Sequence, residues 1–225
     1  MVDRLKLASV LADLQPYGAT LVAVSKTKPT DAIREAYELG QAAFGENYVQ
    51  ELTAKHNALP EAIHWHFIGH LQRNKVKQLV PFVSLIQSVD SPKLLGEINK
   101  AAALRNRRVR CLLQIHVATE ETKFGFDATE AEALAASDQL GKLDHVSICG
   151  LMGMASLTSD QKQVRKEFKA LKTLFDRLAP LLKDPGSGHP GKGILSMGMT
   201  ADYHIALDEG STMVRIGSAL FGERA

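Results

Sequence analysis

The chain has 225 residues, 45% hydrophobic and 23% charged, with 27 Lys and Arg against 25 Asp and Glu. These are ordinary values for a globular protein able to bury a sizeable core, and a net charge of +2 is too small to imply a nucleic-acid or membrane-surface partner. Cys111 and Cys149 both lie inside apolar runs and read as reduced core residues of a cytoplasmic protein rather than a disulfide framework; no run reaches the roughly 18 apolar residues of a membrane span, and "MVDRLKLASVLADL" lacks the apolar stretch of a signal peptide.

In chain order, the N-terminus predicts a helix over about residues 3–14. The chain then repeats one pattern, a short apolar run followed by a helical stretch. The runs are "ATLVAVSKT" (19–27), "AAFGEN" (42–47), "HWHFIGH" (64–70), "LIQSVD" (85–90), "RCLLQIHVA" (110–118), "SICGLMGM" (147–154), "ILSMGMT" (194–200) and "MVRIGSALFG" (213–222). Helical stretches between them include "DAIREAYELG", "SPKLLGEINKAAALR" and "DQKQVRKEFKALKTLFDRL". Pro29–Thr30–Asp31 and Ser91–Pro92 supply start signals, and Gly40 a stop. Strands alternating with helices predict a parallel sheet with helices outside. Eight such units favour a (β/α)8 barrel over an open doubly wound sheet. Only three residues follow the eighth run, so no eighth outer helix is expected, and the N-terminal helix is available for that face. No domain boundary is visible, so residues 1–225 read as one domain, with "DPGSGHPGKG" (184–193) as a flexible loop before the seventh strand.

Two groups of residues carry chemistry. Alternation in the first strand puts Val22, Val24 and Lys26 on one face. In a barrel this places Lys26 at the C-terminal mouth, where active sites of this fold lie. A lysine in an apolar mouth falls below its usual pKa of about 10.4, and its neutral amine attacks aldehydes to form a Schiff base. The plain alternative is a lysine snorkelling to water. At the other end of the chain, Ser196 and Thr200 offer hydroxyls on one face of the seventh strand. Gly198 and Gly217 let backbone approach a ligand. Strands seven and eight commonly hold a phosphate in barrels, although glycines also merely relieve crowding. Closure sets strand eight beside strand one, so Arg215 and Lys26 converge. An aldehyde-reactive lysine, a phosphate cradle and a charged group between them meet the needs of pyridoxal 5′-phosphate (PLP). An arginine, permanently charged, only donates to a ring nitrogen; it leaves that nitrogen unprotonated and weakens carbanion stabilisation.

The motifs "LVAVSKTKP", "FGENYVQE", "WHFIGHLQRNK", "IQSVDS", "KFGF", "GLMGM", "LSMGMTADY" and "VRIGSALFG", spread over about residues 19–222, resemble the YggS/PROSC family of pyridoxal phosphate homeostasis proteins. The resemblance implies a single-domain barrel of the alanine racemase N-terminal type, with no second β-rich domain. It also implies a Schiff base on Lys26, phosphate contacts from Ser196, Thr200, Gly217 and Ser218, and Arg215 facing the pyridine nitrogen. No established catalytic activity is implied, and the family is linked to the supply of the cofactor. Thr200 stands where serine is frequent in the family, keeping the hydroxyl.

Asn47 in "GENYVQE" sits at a strand end, able to bond the ring or a ligand, or simply to form a turn. Lys123 reads as a loop lysine at the mouth, and Lys28 as a like charge close to Lys26. "RNRRVR" (105–110) reads as a solvated face. "GSGHPGK" (186–192) opens like a phosphate-binding loop, but Gly193 follows where Ser or Thr is needed, and no strand precedes it. "HWH" (64–66) suggests a metal pair, yet no compact spacing adds His70, His116 or His204, so core or hydrogen-bonded histidines are expected. The resulting expectation is a cytoplasmic carrier or regulator of PLP. It is monomeric or weakly associating, with apo PLP-dependent enzymes as partners and neither nucleic acid nor membrane. The rival readings are an amino-acid racemase or lyase, with Tyr203 or Tyr48 as a second acid–base group, and a metal-dependent hydrolase resting on "HWH" alone.

Overall fold

The computed structural model describes residues 1–118, 124–138, 140–182 and 193–222. Lys123 and almost all of the 184–193 loop lie outside the described residues. Eight parallel strands close into a barrel in sequence order. They are β1 (Thr20–Val24), β2 (Ala43–Glu46), β3 (His64–Phe67), β4 (Leu85–Val89), β5 (Val109–Ile115), β6 (Val146–Gly153), β7 (Ile194–Ser196) and β8 (Met213–Ile216). Helix α1 (Arg4–Leu14) precedes the barrel. The outer layer is α2 (Thr30–Glu38), α3 (Val49–Ala58), α4 (Val76–Leu79), α5 (Pro92–Ala103), α6 (Ala128–Ala136), α7 (Gln161–Leu178), α8 (Tyr203–Asp208) and α9 (Ser218–Phe221).

Local chemistry starts the helices where the sequence signals lie. Ser91 accepts from the Leu94 N–H ahead of Pro92, and Asp160 accepts from Lys162 and Gln163 at the start of α7. Buried Val164, Phe168, Leu171, Phe175 and Leu178 recur at helical spacing and seat α7 on the barrel.

All eight expected strands form, but all except β6 are shorter than their apolar runs. β1 stops at Val24, so Lys26 lies in the turn beyond it, closed by the Lys28 amide on the Ser25 carbonyl, and not on the strand face it was expected to share with Val22 and Val24. β7 stops at Ser196, because Gly198 turns the chain at φ +96°. Thr200 therefore belongs to the following loop and not to the strand face it was expected to share with Ser196. β8 stops at Ile216, because Gly217 leaves strand geometry at φ −126°, ψ −71°. The next four residues form α9, so a short eighth outer helix exists where none was expected. The N-terminal arm packs on it: the Asp3 amide donates to the Leu220 carbonyl at 2.8 Å, and α1 buries Leu7, Val10 and Leu14.

The larger apolar side chains fill the layer between barrel and helices, among them Phe44, Trp65, Phe67, Ile86, Leu151 and Val214. The barrel interior is smaller and partly polar. Val22, Ala43, Leu85, Leu112, Cys149, Met152, Ile194 and Met213 form its apolar cluster. Cys149 is the extra residue of a bulge, since Cys111 pairs with Ile148 while Leu112 pairs with Gly150. Both cysteines are buried thiols outside any disulfide, and burial pushes the Cys111 thiol pKa up. The basic run is more than a solvated face. Arg105 and Arg108 are exposed, but Arg107 is half-buried and donates to the carbonyls of Val80 and Val83. Among the described residues, no helix is long and apolar enough to cross a membrane.

The bulge dictates one residue. A Cβ on Gly150 would lie 1.8 Å from the Ile194 carbonyl oxygen, whereas a Cβ on Gly96, within α5, meets nothing within 4 Å. Gly150→Ala is expected to lose at least about 2–3 kcal/mol in urea unfolding. Gly96→Ala, by reducing unfolded-state freedom, is expected to gain about 0.4–1 kcal/mol.

Candidate functional site

The C-terminal ends of the strands bring the predicted residues together from opposite ends of the chain. β1 and β8 pair in parallel, with Val22 opposite Arg215 and Ala23 opposite Ile216. Lys26 follows two residues after β1 and is half-buried; Gly217 and Ser218 follow directly after β8. A Cβ on Gly217 would come within 3.0 Å of the Val24 carbonyl and 3.1 Å of its Cβ, so a side chain there would press on the end of β1.

The turn carrying Lys26 is held from behind. The Lys28 amide donates to the Ser25 carbonyl at 3.0 Å, closing a turn with Lys26 and Thr27 at its centre. Thr27 has φ +65°, rare for a β-branched residue. Its amide donates to Glu51 Oε1 on α3 at 2.6 Å. Lys55, also on α3 and only 5% exposed, donates to the Ser25 carbonyl (2.8 Å), Glu46 Oε1 (2.8 Å) and Glu51 Oε1 (2.7 Å). The Ser25 hydroxyl completes the group by donating to Glu46 Oε1 at 2.6 Å. Burial raises the Glu46 carboxyl above its ordinary pKa, opposed by Lys55 and Ser25.

Arg215 anchors the centre of the site. Its Nη1 donates to the Ser196 hydroxyl at 2.6 Å and its Nη2 to the Gly153 carbonyl at 2.9 Å. Burial draws the guanidinium pKa down to about 10, with Asp202 pulling the other way, so it stays charged at neutral pH. Ser196 in turn donates to Gln87 Oε1 at 2.7 Å, and Gln87 Nε2 meets His66 Nδ1 at 2.9 Å. Burial, reinforced by Arg110 and His64, holds the His66 pKa near 3; the ring is neutral, and its Nδ1 accepts. One directed chain thus runs Arg215 to Ser196 to Gln87 to His66 across the barrel. Ser196 is fully buried and sits in this chain rather than beside Thr200. Gln87 and Gly153 were not singled out from sequence. The available signal was a glutamine inside the otherwise apolar "LIQSVD".

Above this chain lies a loop cradle. The Gly198 carbonyl accepts from the Arg215 amide at 2.9 Å, and the Met199 amide donates to Asp202 Oδ1 at 2.6 Å. The hydroxyls of Ser218 and Thr200 meet at 3.2 Å. A Cβ on Gly198 would lie 2.6 Å from Ala206 Cβ, so the loop folds tightly onto α8. Across the mouth, Asn47 follows β2, and its Oδ1 is buried with no hydrogen-bond partner among the described residues.

The rival residues sit elsewhere. Tyr203 is buried against α1, its hydroxyl donating to Asp13 at 2.8 Å; burial first, then Asp13, pushes its pKa up to about 12. Tyr48 is 58% exposed. The "HWH" histidines part company: His64 is exposed, while His66 is the buried, hydrogen-bonded histidine that the sequence reading favoured. His70 pairs with Asp90 at 3.0 Å and stacks on Phe124. Among the described residues, no three His, Cys, Asp or Glu side chains group as metal ligands.

Comparison with known proteins gives this arrangement a family. Residues 6–225 match the family described as "Alanine racemase, N-terminal domain". The pyridoxal phosphate homeostasis protein of Bos taurus is 41% identical over 223 residues, covering 94% of this chain and 80% of its own. That of Aquifex aeolicus is 38% identical over 225 residues, covering 100% and 95%. PipY of Synechococcus elongatus PCC7942, solved with PLP bound, is 37% identical with a TM-score of 0.83, over 96% of this chain and 98% of that one. An alanine racemase of Clostridium difficile, 15% identical with a TM-score of 0.68, shares the fold and is covered over 57% of its length. The chain belongs to the pyridoxal phosphate homeostasis protein family, built on the barrel of the alanine racemase N-terminal domain.

Proposed function

We propose that this protein holds PLP at the C-terminal mouth, with Lys26 as its covalent Schiff-base anchor, and serves the homeostasis of the cofactor as a carrier or regulator rather than as a catalyst. The observation that carries this reading is the β1–β8 pairing, which sets the turn with Lys26 beside the buried arginine of β8 and the glycine–hydroxyl cradle formed by the loops after β7 and β8. PLP-bound PipY, alike over almost the whole chain, supports the choice of ligand. A cytoplasmic location, a monomeric state and delivery to apo PLP-dependent enzymes complete the proposal.

The residues fit the group. Thr200, Ser218 and the backbone about Gly198 and Gly217 form a cradle for a phosphate. Asn47 Oδ1, buried without a partner, answers a ligand donor. When bound, PLP supplies an aldehyde for the lysine and a ring able to delocalise charge. Arg215 would meet the ring nitrogen as a donor, its charge held by the Ser196 and Gly153 contacts, and so would not protonate it. The Tyr203 hydroxyl is committed to Asp13 on α1. Both features support retention of the cofactor over turnover.

Three outcomes are expected. Borohydride reduction and peptide mapping should find the pyridoxyl group on Lys26, and Lys26→Ala should lose the yellow absorbance while melting within a few degrees of the parent. Labelling of Lys28 or Lys123 alone overturns the anchor. Thr200→Val, which removes one hydroxyl at nearly constant volume, should weaken PLP binding roughly ten- to a hundredfold, the loss of one hydrogen bond to a charged group. Unchanged affinity in a fluorescence titration removes Thr200 from the cradle. In deuterated water with L-alanine and other L-amino acids, the holo-protein should exchange the α-proton far more slowly than about once per second, the low end of ordinary enzyme turnover. Exchange at that rate, followed by NMR with D-isomer on a chiral column, would establish the racemase reading instead.

A further inference from the structure

The cluster behind Lys26 is more elaborate than packing requires. Helix α3 could seat against β1 and β2 with apolar side chains alone, and burying ions costs free energy that such side chains avoid. Instead, all three protons of Lys55 are engaged, on the Ser25 carbonyl, Glu46 and Glu51. Glu51 Oε1 also takes the Thr27 amide. The residues on either side of Lys26 are thus gripped from the same helix, Ser25 by its carbonyl and Thr27 by its amide.

The grip coincides with a backbone outlier. Thr27 and Asn106 are the only non-glycine residues with positive φ among the described residues. Thr27 occupies the second central position of the turn, where positive φ normally calls for glycine or asparagine. A β-branched residue there is strained and persists only when its surroundings over-determine it. The Glu51 contact is the over-determining one.

We infer that Glu51 and Lys55 are positioning residues for Lys26: by holding the turn with Thr27 at positive φ they set the direction in which the Lys26 side chain leaves the turn that follows β1. This rests on the reading that Lys26 anchors PLP. It adds that the reactivity of that amine is set by α3, from outside the barrel. Lys55 is itself excluded as an aldehyde-reactive amine, since its protons are committed to three acceptors and it is nearly sealed from water.

The test uses Glu51→Met, which removes the Oε1 acceptor shared by the Thr27 amide and Lys55 while keeping the length of a side chain that is 23% exposed. In protein that circular dichroism shows to be folded, Glu51→Met should slow borohydride-trappable attachment of PLP to Lys26 about tenfold, whereas Glu51→Gln, whose Oε1 still accepts, should stay within about threefold of the parent. Thr27→Gly added to Glu51→Met should restore the rate to within about threefold, because glycine adopts positive φ unaided. A second readout needs no PLP. Reductive methylation with formaldehyde and cyanoborohydride, mapped by mass spectrometry, should show a lower ratio of Lys26 to Lys28 modification in Glu51→Met, with recovery in the double variant. A parent-like rate and ratio in Glu51→Met, or no recovery on adding Thr27→Gly, overturns the inference. If PLP never labels Lys26 in the parent protein, the anchor proposal fails, while the methylation ratio still decides whether α3 positions the lysine.

Discussion

Everything at the mouth depends on the hydrogen-bonded seam between β1 and β8. It joins residues almost two hundred positions apart, setting Val22 against Arg215 and Ala23 against Ile216. A parallel sheet left open at this point would leave Lys26 and Arg215 on opposite edges. Closure instead sets the turn that carries Lys26 beside β8, with its Arg215, and the loop that follows it. The close approach of Gly217 to Val24 is a local consequence, since any side chain there would push the two strand ends apart.

The seam also explains why the barrel interior is polar on one side. A buried guanidinium must be hydrogen-bonded, because a charge removed from water without partners is costly. Gly153 and Ser196 receive Arg215, and Ser196 passes the requirement on to Gln87, which passes it to His66. The chain can end at His66 because burial keeps that ring neutral and accepting. Each member satisfies the next, which is the condition under which a buried polar network specifies one arrangement. Small residues such as Ala43 and Gly45 complete the interior; a Cβ on Gly45 would already touch Val22 and Ile68 at 3.0 Å.

An alanine racemase at 15% identity shares the barrel, and a shared fold by itself says little about chemistry. The present site is arranged around one arginine and one lysine. Both are held by groups that face away from the mouth: Arg215 from within the barrel, and the Lys26 turn from the helix layer. A site braced in this way suits retention of a ligand, because the ordering cost is met in folding and not in binding.

The sequence by itself determined the number, order and type of the strands. Apolar runs of strand length, separated by capped amphipathic stretches, leave little choice besides parallel strands under helices. It also made Lys26 visible, since a lysine ending an apolar run is out of place in a buried strand, and it made the glycine–hydroxyl segments visible by composition. It overran strand ends, among them the three at the site: β1 stops at Val24, before Lys26, and apolar character continues past Ser196 and Ile216 while the backbone turns at Gly198 and leaves strand geometry at Gly217. Only the tertiary structure decided what the polar core residues do. Ser196 reads as a ligand hydroxyl until it is seen facing Gln87, 109 positions away. No local pattern marks Glu51 and Lys55, yet Lys55 lies buried on the Ser25 carbonyl, 30 positions away. Hydrophobic periodicity is local and survives in the sequence, whereas a hydrogen-bond partner across a closed barrel is chosen by closure, which no local pattern encodes.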